Sequence, residues 1–189
     1  MPPHATFKRK NIRLPVDRYR GRGLFFITLC FHHRRRFGQN PRIASWLVVR
    51  LREWSTLCDF LVHAYCVMPD HVHFLAAGAK DTSNLTKFVE GFKQETAVEF
   101  ARRTRSELWQ FKYYDHALRL TDSADGVAWY IWLNPVRKGL CRRPVEYPFE
   151  GSFSAVGMKM LSSAAAIDWV PPWKKLNSKS AALKPAALR

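Results

Sequence analysis

The most constraining feature of the sequence is a pair of apolar runs joined by two turn-forming residues. The runs cover residues 60–68 and 72–77, and Pro69 and Asp70 stand between them. Both runs are rich in β-branched and aromatic residues, which favour strands, whereas a Pro-Asp pair favours a turn. The sequence therefore predicts a β-hairpin, and the rest of the chain has to fold around it.

Two histidines lie at the start of the second predicted strand. Because successive side chains of a strand point to opposite faces, His71 and His73 should project from one face while Val72 and Phe74 project from the other. Neutral imidazoles are the commonest protein ligands for metal ions, and two of them side by side can hold one ion with coordination sites to spare. The alternative is a pair of surface histidines on an exposed sheet face.

The flanking segments predict alternating strands and helices. Residues 24–31 form an almost wholly apolar run that is typical of a central strand. Apolar residues then recur at helical spacing from Pro41 to Cys58, and again after a helix start at Ser83 or Asn84. Residues 108–120 are rich in aromatic residues and predict a further strand.

A third helix is predicted to begin at residues 121–123 and to end or bend at Asn134, which precedes Pro135. The element order is that of an α+β fold, a ferredoxin-like sandwich. We expect an antiparallel sheet with the first two helices on one face, plus the added C-terminal helix. Residues 140–153 are predicted to pack irregularly on this domain.

The chain is strongly basic, and the distribution of its charge suggests three segments. Lys and Arg number 31 against 15 Asp and Glu, which gives a formal net charge of +16 and favours a polyanionic partner. Residues 1–22 predict a basic N-terminal arm, residues 23–153 the folded domain, and residues 154–189 a weakly ordered basic tail. Widely spaced cysteines and the lack of a long apolar run predict a cytoplasmic protein without a membrane segment.

The third predicted helix adds two candidate site residues. Tyr130 and Asn134 lie four residues apart, hence on one helix face. If this face looks toward His71 and His73, two imidazoles and an amide oxygen could hold a divalent ion beside a tyrosine nucleophile. In the alternative interpretation, Asn134 only ends the helix and Tyr130 is an aromatic residue at the edge of the core.

Three stretches, residues 65–77, 108–119 and 130–140, resemble the HUH-type single-tyrosine transposases, and most closely the REP-associated tyrosine transposases. The similarity covers residues 20–153. By position in these motifs, it implies that His71, His73 and Asn134 bind the metal ion, Mg²⁺ or Mn²⁺, and that Tyr130 is the nucleophile. Asn134 stands where the family has Gln or Asn.

The resemblance also implies a reaction and a substrate. Tyr130 is expected to cleave and rejoin single-stranded DNA through a 5′-phosphotyrosine intermediate, next to a palindromic hairpin, in a protein that acts as a monomer or a homodimer. Basic side chains are the candidates for backbone contacts with this DNA. They are Arg34, Arg35, Arg36, Lys93, Arg137, Lys138, Arg142 and Arg143.

Two alternatives stay open at this point. A catalytically silent, domesticated DNA- or RNA-binding protein could use the same fold and charge. Within residues 108–120, basic and aromatic residues interleave, which suits either a base-stacking surface or an ordinary core strand.

Overall fold

The computed structural model describes residues 15–119 and 121–154. Along the chain the main elements are β1 (Leu24–Cys30), α1 (Pro41–Leu57), β2 (Phe60–Val67), β3 (His71–Gly78), α2 (Leu85–Thr104), β4 (Tyr114–Ala117), α3 (Ala124–Trp132), α4 (Asn134–Arg137) and β5 (Glu150–Gly151). Most of the predicted arm and nearly all of the predicted tail lie outside the described residues.

The three long helices begin where their capping residues stand. Asn40, Asn84 and Ser123 each accept a hydrogen bond from a backbone amide of the following first turn. Such caps satisfy amides that have no partner within the helix. The predicted helix starts at Pro41, at Asn84 and near residues 121–123 are therefore confirmed.

The strands form one antiparallel sheet in the order β4-β1-β3-β2-β5. The first four strands follow the ferredoxin-like arrangement, so the predicted fold class is confirmed. The predicted hairpin is β2 and β3, and β3 lies at the centre of the sheet. Residues 140–153 were expected to pack irregularly, yet Glu150–Gly151 adds a fifth strand beside β2.

Each face of the sheet is covered by its own apolar cluster. On one face, residues of α1 and α2 such as Leu47 and Phe92 pack against alternate strand residues. On the other face, Val127 and Ile131 of α3 pack against Phe26 and Leu75. The third helix therefore lies on the sheet face opposite the first two. None of the described helices is long and apolar enough to cross a membrane.

The strand predicted over residues 108–120 is too long. Only Tyr114–Ala117 pairs along β1, and Trp109 forms an isolated bridge with Phe31. Between these points the backbone leaves the ladder, because Lys93 of α2 binds the carbonyl oxygens of Gln110 and Phe111 at 2.9 and 2.8 Å. A long-range contact thus overrides the strand propensity of the aromatic residues.

The last residues of the predicted arm reach the core. Tyr19 is buried beside Phe25 and donates a hydrogen bond to Asp115 of β4 at 2.5 Å. The backbone of Arg20 forms a bridge with Asn84. The basic stretch is therefore anchored to the sheet edge before β1 begins.

Glu150 of β5 carries a carboxylate in an unfavourable place. Both of its oxygens are buried and have no hydrogen-bond partner among the described residues. Since burial penalises the charged form, it raises the pKa of Glu150 from 4.5 to about 8. The folded protein thus keeps a proton there that the unfolded chain releases above pH 4.5.

We expect Glu150→Gln to stabilise the protein at pH 8 and to change little at pH 5. In the wild type, the contribution of the protonated carboxyl is complete below pH 4.5 and is lost as the pH rises through about 8. The amide avoids this loss because it carries no charge at either pH. Thermal unfolding at both pH values measures the difference, with the exposed Glu90→Gln as the matched control. A fall in melting temperature at pH 8 would contradict the assignment.

Candidate active site

The two histidines of β3 face each other on the α3 side of the sheet. His71 and His73 are both buried, and their ring centres are 4.3 Å apart. The two Nε2 atoms lie 2.9 Å from each other. Two nitrogens that each stand about 2.1 Å from one ion at a right angle are about 3.0 Å apart. The pair therefore has the spacing of two ligands of a single ion.

The Nδ1 atom of each ring lies within hydrogen-bond distance of a neighbouring side-chain oxygen. Nδ1 of His71 lies 2.6 Å from Oδ1 of Asp70, and Nδ1 of His73 lies 2.9 Å from Oγ1 of Thr28. Because an ionised carboxylate only accepts hydrogen bonds, Nδ1 of His71 donates to Asp70, and in the neutral ring the lone pair is then on Nε2. Oxygen partners of this kind fix the tautomer and the orientation of metal-binding histidines.

Asp70 also connects the histidine pair to the basic loop after β1. Its Oδ2 accepts a hydrogen bond from Nη1 of Arg34 at 3.1 Å. The hydrogen bond from His71, together with the charge of Arg34, outweighs burial and holds the pKa of Asp70 well below its usual value. Asp70 is therefore ionised at neutral pH.

The electrostatic surroundings keep His73 neutral. Burial comes first among the causes that hold its pKa well below the usual value, and the nearby His71 and Arg34 act in the same direction. A neutral imidazole retains the lone pair that a metal ion needs. The second ring is thus also prepared to act as a ligand.

Helix α3 places Tyr130 beside these rings. The ring centres of Tyr130 and His73 are 6.0 Å apart, and Phe26 of β1 lies against both of them. The apolar residues of α3 bury this face of the helix on the sheet, and Tyr130 itself is buried. The structure thus brings the phenol next to the histidine pair.

Asn134 and Arg137, the two ends of α4, both contact Tyr130. The Asn134 amide nitrogen donates to the Tyr130 carbonyl oxygen at 2.8 Å, which leaves the amide oxygen as the atom that can coordinate a cation. The Arg137 guanidinium lies 5.1 Å from the centre of the Tyr130 ring and also donates to that carbonyl at 3.3 Å. Asn134 is buried, so its side chain belongs to this enclosed site.

These contacts distinguish Tyr130 from the other tyrosine nearby. Burial raises the pKa of the Tyr130 phenol, but the positive charge of Arg137 and a hydrogen bond from Asn134 oppose the increase. At Tyr114, burial and the negative charge of Asp115 act together and raise the pKa to about 12. The charge beside Tyr130 thus opposes the effect of burial, whereas the charge beside Tyr114 adds to it.

The donor set suits a divalent ion with open coordination sites. Among the described residues, no three His, Cys, Asp or Glu side chains are arranged to hold one metal ion. The Asn134 amide oxygen can serve as the third ligand. Two imidazoles and one amide oxygen leave room for water or a phosphate oxygen, as in catalytic rather than structural metal sites.

The predicted DNA contacts fall into different surroundings. Arg35, Arg36, Lys138 and Arg142 are exposed. Arg34 is paired with Asp70 and Arg143 with Glu146. The amino group of Lys93 is bound to two carbonyl oxygens of the 110–113 segment. Arg137 is the basic residue in direct contact with Tyr130.

Two residues of the site, Asp70 and Thr28, escaped the sequence analysis. Asp70 was assigned only a turn role, although a carboxylate directly before a candidate metal ligand is a signal for a supporting hydrogen bond. Thr28 is the hydroxyl-bearing residue of the otherwise apolar run 24–31. A polar residue within a buried strand needs a partner, and His73 is that partner.

Comparison with known proteins gives consistent matches. Residues 25–132 match the family described as Transposase IS200 like. A Haemophilus influenzae protein provisionally named a REP-associated tyrosine transposase is 22% identical over 145 residues, which cover 67% of this chain and 78% of that protein. The REP-associated tyrosine transposase of Escherichia coli is 29% identical over 93 residues, 48% of this chain and 53% of that protein.

A solved structure shares the fold. It is a REP-associated tyrosine transposase bound to a REP hairpin, with a TM-score of 0.58 and 21% sequence identity. The match covers 70% of this chain and 78% of that one. The likeness extends over most of both chains and concerns the fold.

The hydrogen bond from His71 to Asp70 predicts that the carboxylate supports metal binding. We expect Asp70→Ala to weaken Mn²⁺ binding about 10- to 100-fold, because the His71 ring loses the partner that orients it. Isothermal titration calorimetry measures the affinity, and Asp81→Ala is the control, since Asp81 is an exposed carboxylate paired with Arg22. Equal affinities for Asp70→Ala and the wild type would exclude this role.

Proposed function

The chain belongs to the transposase family described as Transposase IS200 like, and from that premise we propose that it cleaves and rejoins single-stranded DNA through a covalent bond between Tyr130 and a 5′ phosphate. The observation that carries the proposal is the position of the Tyr130 ring, 6.0 Å from a histidine whose Nε2 converges with that of a second histidine. This proximity supports a shared site for the proposed nucleophile and the two histidines.

Chemistry at a phosphodiester needs its negative charge neutralised. His71, His73 and Asn134 would hold a divalent ion, Mg²⁺ or Mn²⁺, which supplies Lewis-acid charge to a non-bridging phosphate oxygen when bound. Imidazole nitrogens suit Mn²⁺ better than Mg²⁺, which prefers oxygen ligands. We therefore expect tighter binding of Mn²⁺ than of Mg²⁺.

The protein residues take the remaining roles. The Tyr130 oxygen attacks phosphorus and loses its proton, while the bond from phosphorus to the 3′ oxygen breaks and that oxygen takes up a proton. Arg137 lies over the phenol ring, so its charge favours the phenolate. The bond to Tyr130 conserves the phosphodiester energy, and a free 3′-hydroxyl can reverse the step and join strands.

The surrounding charge fits a DNA substrate. The whole chain has a formal net charge of +16, and exposed arginines and lysines lie both after β1 and after α4. Basic side chains in these positions can neutralise phosphates on either side of the reacting one. One structural relative is bound to a REP hairpin, and we propose that this chain likewise recognises a DNA hairpin beside its cleavage site.

Tyr130→Phe should abolish the covalent product while retaining DNA binding, because the ring stays and only the attacking oxygen is lost. A pool of single-stranded DNA hairpins with randomised flanks is incubated with Mn²⁺, denatured, and separated to recover DNA attached to protein. Tyr114→Phe is the matched control and should keep forming the adduct. Chelation of the metal should abolish it.

An adduct of full yield from Tyr130→Phe would place the nucleophile on another residue. If the wild type binds the hairpins but forms no adduct with any metal, the chain is a binding protein on the same fold and the catalytic proposal fails.

Arg137→Gln should slow adduct formation about tenfold or more, since the guanidinium beside the phenol is lost. Single-turnover rates at saturating DNA separate this effect from weaker binding. Arg142→Gln is the control because Arg142 is an exposed arginine among the candidate DNA contacts. Equal rates for both variants would show that Arg137 serves only in general DNA attraction.

A further inference from the structure

Beside β1, the backbone of residues 110–113 leaves the sheet, and this segment is called the excursion below. Thr28 pairs with Tyr114, whereas Phe31 forms its bridge with Trp109. Residues 29 and 30, at the end of β1, therefore lie opposite four residues of the neighbouring segment, 110–113. Extra residues in one strand bend the chain and redirect its side chains, a device that is frequent near active sites. Here the redirected side chain is Phe111, which is 95% exposed.

The excursion is held firmly in place. Lys93 binds two of its carbonyl oxygens, and the amide of Gln110 donates to the carbonyl of Cys30 at 2.9 Å. At its base, Trp109 stacks on Phe31 with ring centres 5.0 Å apart. The backbone of Phe111 is therefore fixed, and its ring is presented to solvent.

Beside the excursion lies an aromatic groove. It has a volume of about 970 Å³ and runs between α2 and residues 107–115. Trp109, Phe111, Tyr113 and Tyr114 contribute to its lining. Its size is that of pockets that take small organic molecules, and its rings suit flat aromatic ligands.

Tyr114 lines the groove at the sheet edge and also reaches the face that carries the candidate active site. Tyr114 pairs with Thr28, and Thr28 pairs with His73 across the next strand. Because directly paired residues project to the same face of a sheet, Tyr114 lies on the face that carries His73. Phe26 connects them, with its ring centre 6.4 Å from that of Tyr114 and 5.2 Å from that of His73.

Charge favours bases inside the groove and phosphates beside it. Two of the three carboxylates in the lining already have partners, since Glu107 pairs with His32 and Asp115 accepts from Tyr19. Lys93 and Lys112 further offset the negative charge, so the groove does not repel a DNA strand strongly. The adjoining loop carries the exposed residues 34–36, all arginines, and is joined to the groove by the bond from the His32 amide to the Leu108 carbonyl.

We propose that this groove binds unpaired bases of the DNA strand next to the cleaved phosphate, with Phe111 as the stacking residue. The proposal rests on the proposed function, because that function places single-stranded DNA at the neighbouring site. Every base has a π face, so stacking of this kind holds a strand without reading its sequence. Arginines of the adjoining loop then contact the phosphates of the same strand.

The test compares a strand that has bases with one that lacks them. The probes are oligothymidine of about 15 nucleotides and an abasic strand of the same length. Without metal, Phe111→Ala should bind oligothymidine at least about fivefold more weakly than the wild type and bind the abasic strand equally well. Phe111→Trp should restore the preference for oligothymidine. Leu57→Ala, at an apolar residue of α1 that is 65% exposed, should match the wild type on both strands.

Other outcomes would overturn the proposal. Unchanged binding of oligothymidine by Phe111→Ala would show that no base stacks there. An equal loss on both strands would show a contribution to backbone contacts instead. Because binding is measured without metal and with Tyr130 intact, the result is independent of adduct formation. A missing adduct with a Phe111-dependent base preference would reject catalysis and retain the stacking groove.

Discussion

The candidate site depends on one contact, the convergence of two imidazole nitrogens 2.9 Å apart on β3. Two buried polar rings are costly unless their other nitrogens have partners, and Asp70 and Thr28 provide them. If either ring turned, its Nε2 atom would no longer point to the position that it shares with Nε2 of the other ring. The hydrogen bonds behind the rings are therefore as necessary to the geometry as the rings themselves.

The sheet fixes the positions of the two histidines and of Thr28. Strand alternation puts His71 and His73 on one face, the central position of β3 buries them, and the register with β1 places Thr28 beside His73. Helices α1 and α2 cover the opposite face, which leaves the histidine face open for α3 and hence for Tyr130. A fold with all three helices on one face could not bring the phenol to the imidazoles.

Local patterns in the sequence predicted the parts of this structure that local physics controls. Strand alternation placed the two histidines, and capping residues placed the helices. The excursion at 110–113 was missed because it depends on Lys93, which is far away in sequence, while the aromatic residues favour a strand. Asp70 was missed because alternation predicts no side-chain direction within a turn. The strand at Glu150 is too short to leave a pattern, and it is stabilised by pairing with β2.

The burial of Tyr130 has a consequence for how the proposed reaction is controlled. Burial raises the pKa of the phenol, so in the free protein it holds its proton and is a weak nucleophile. Arg137 and Asn134 oppose this effect from the next helical turn, but they are fixed parts of the fold and act at all times. In the proposed reaction, a divalent ion held by His71, His73 and Asn134 would supply further positive charge beside the phenol and the phosphate. The buried phenol is therefore expected to need this added charge, beyond that of Arg137, before it acts as a nucleophile.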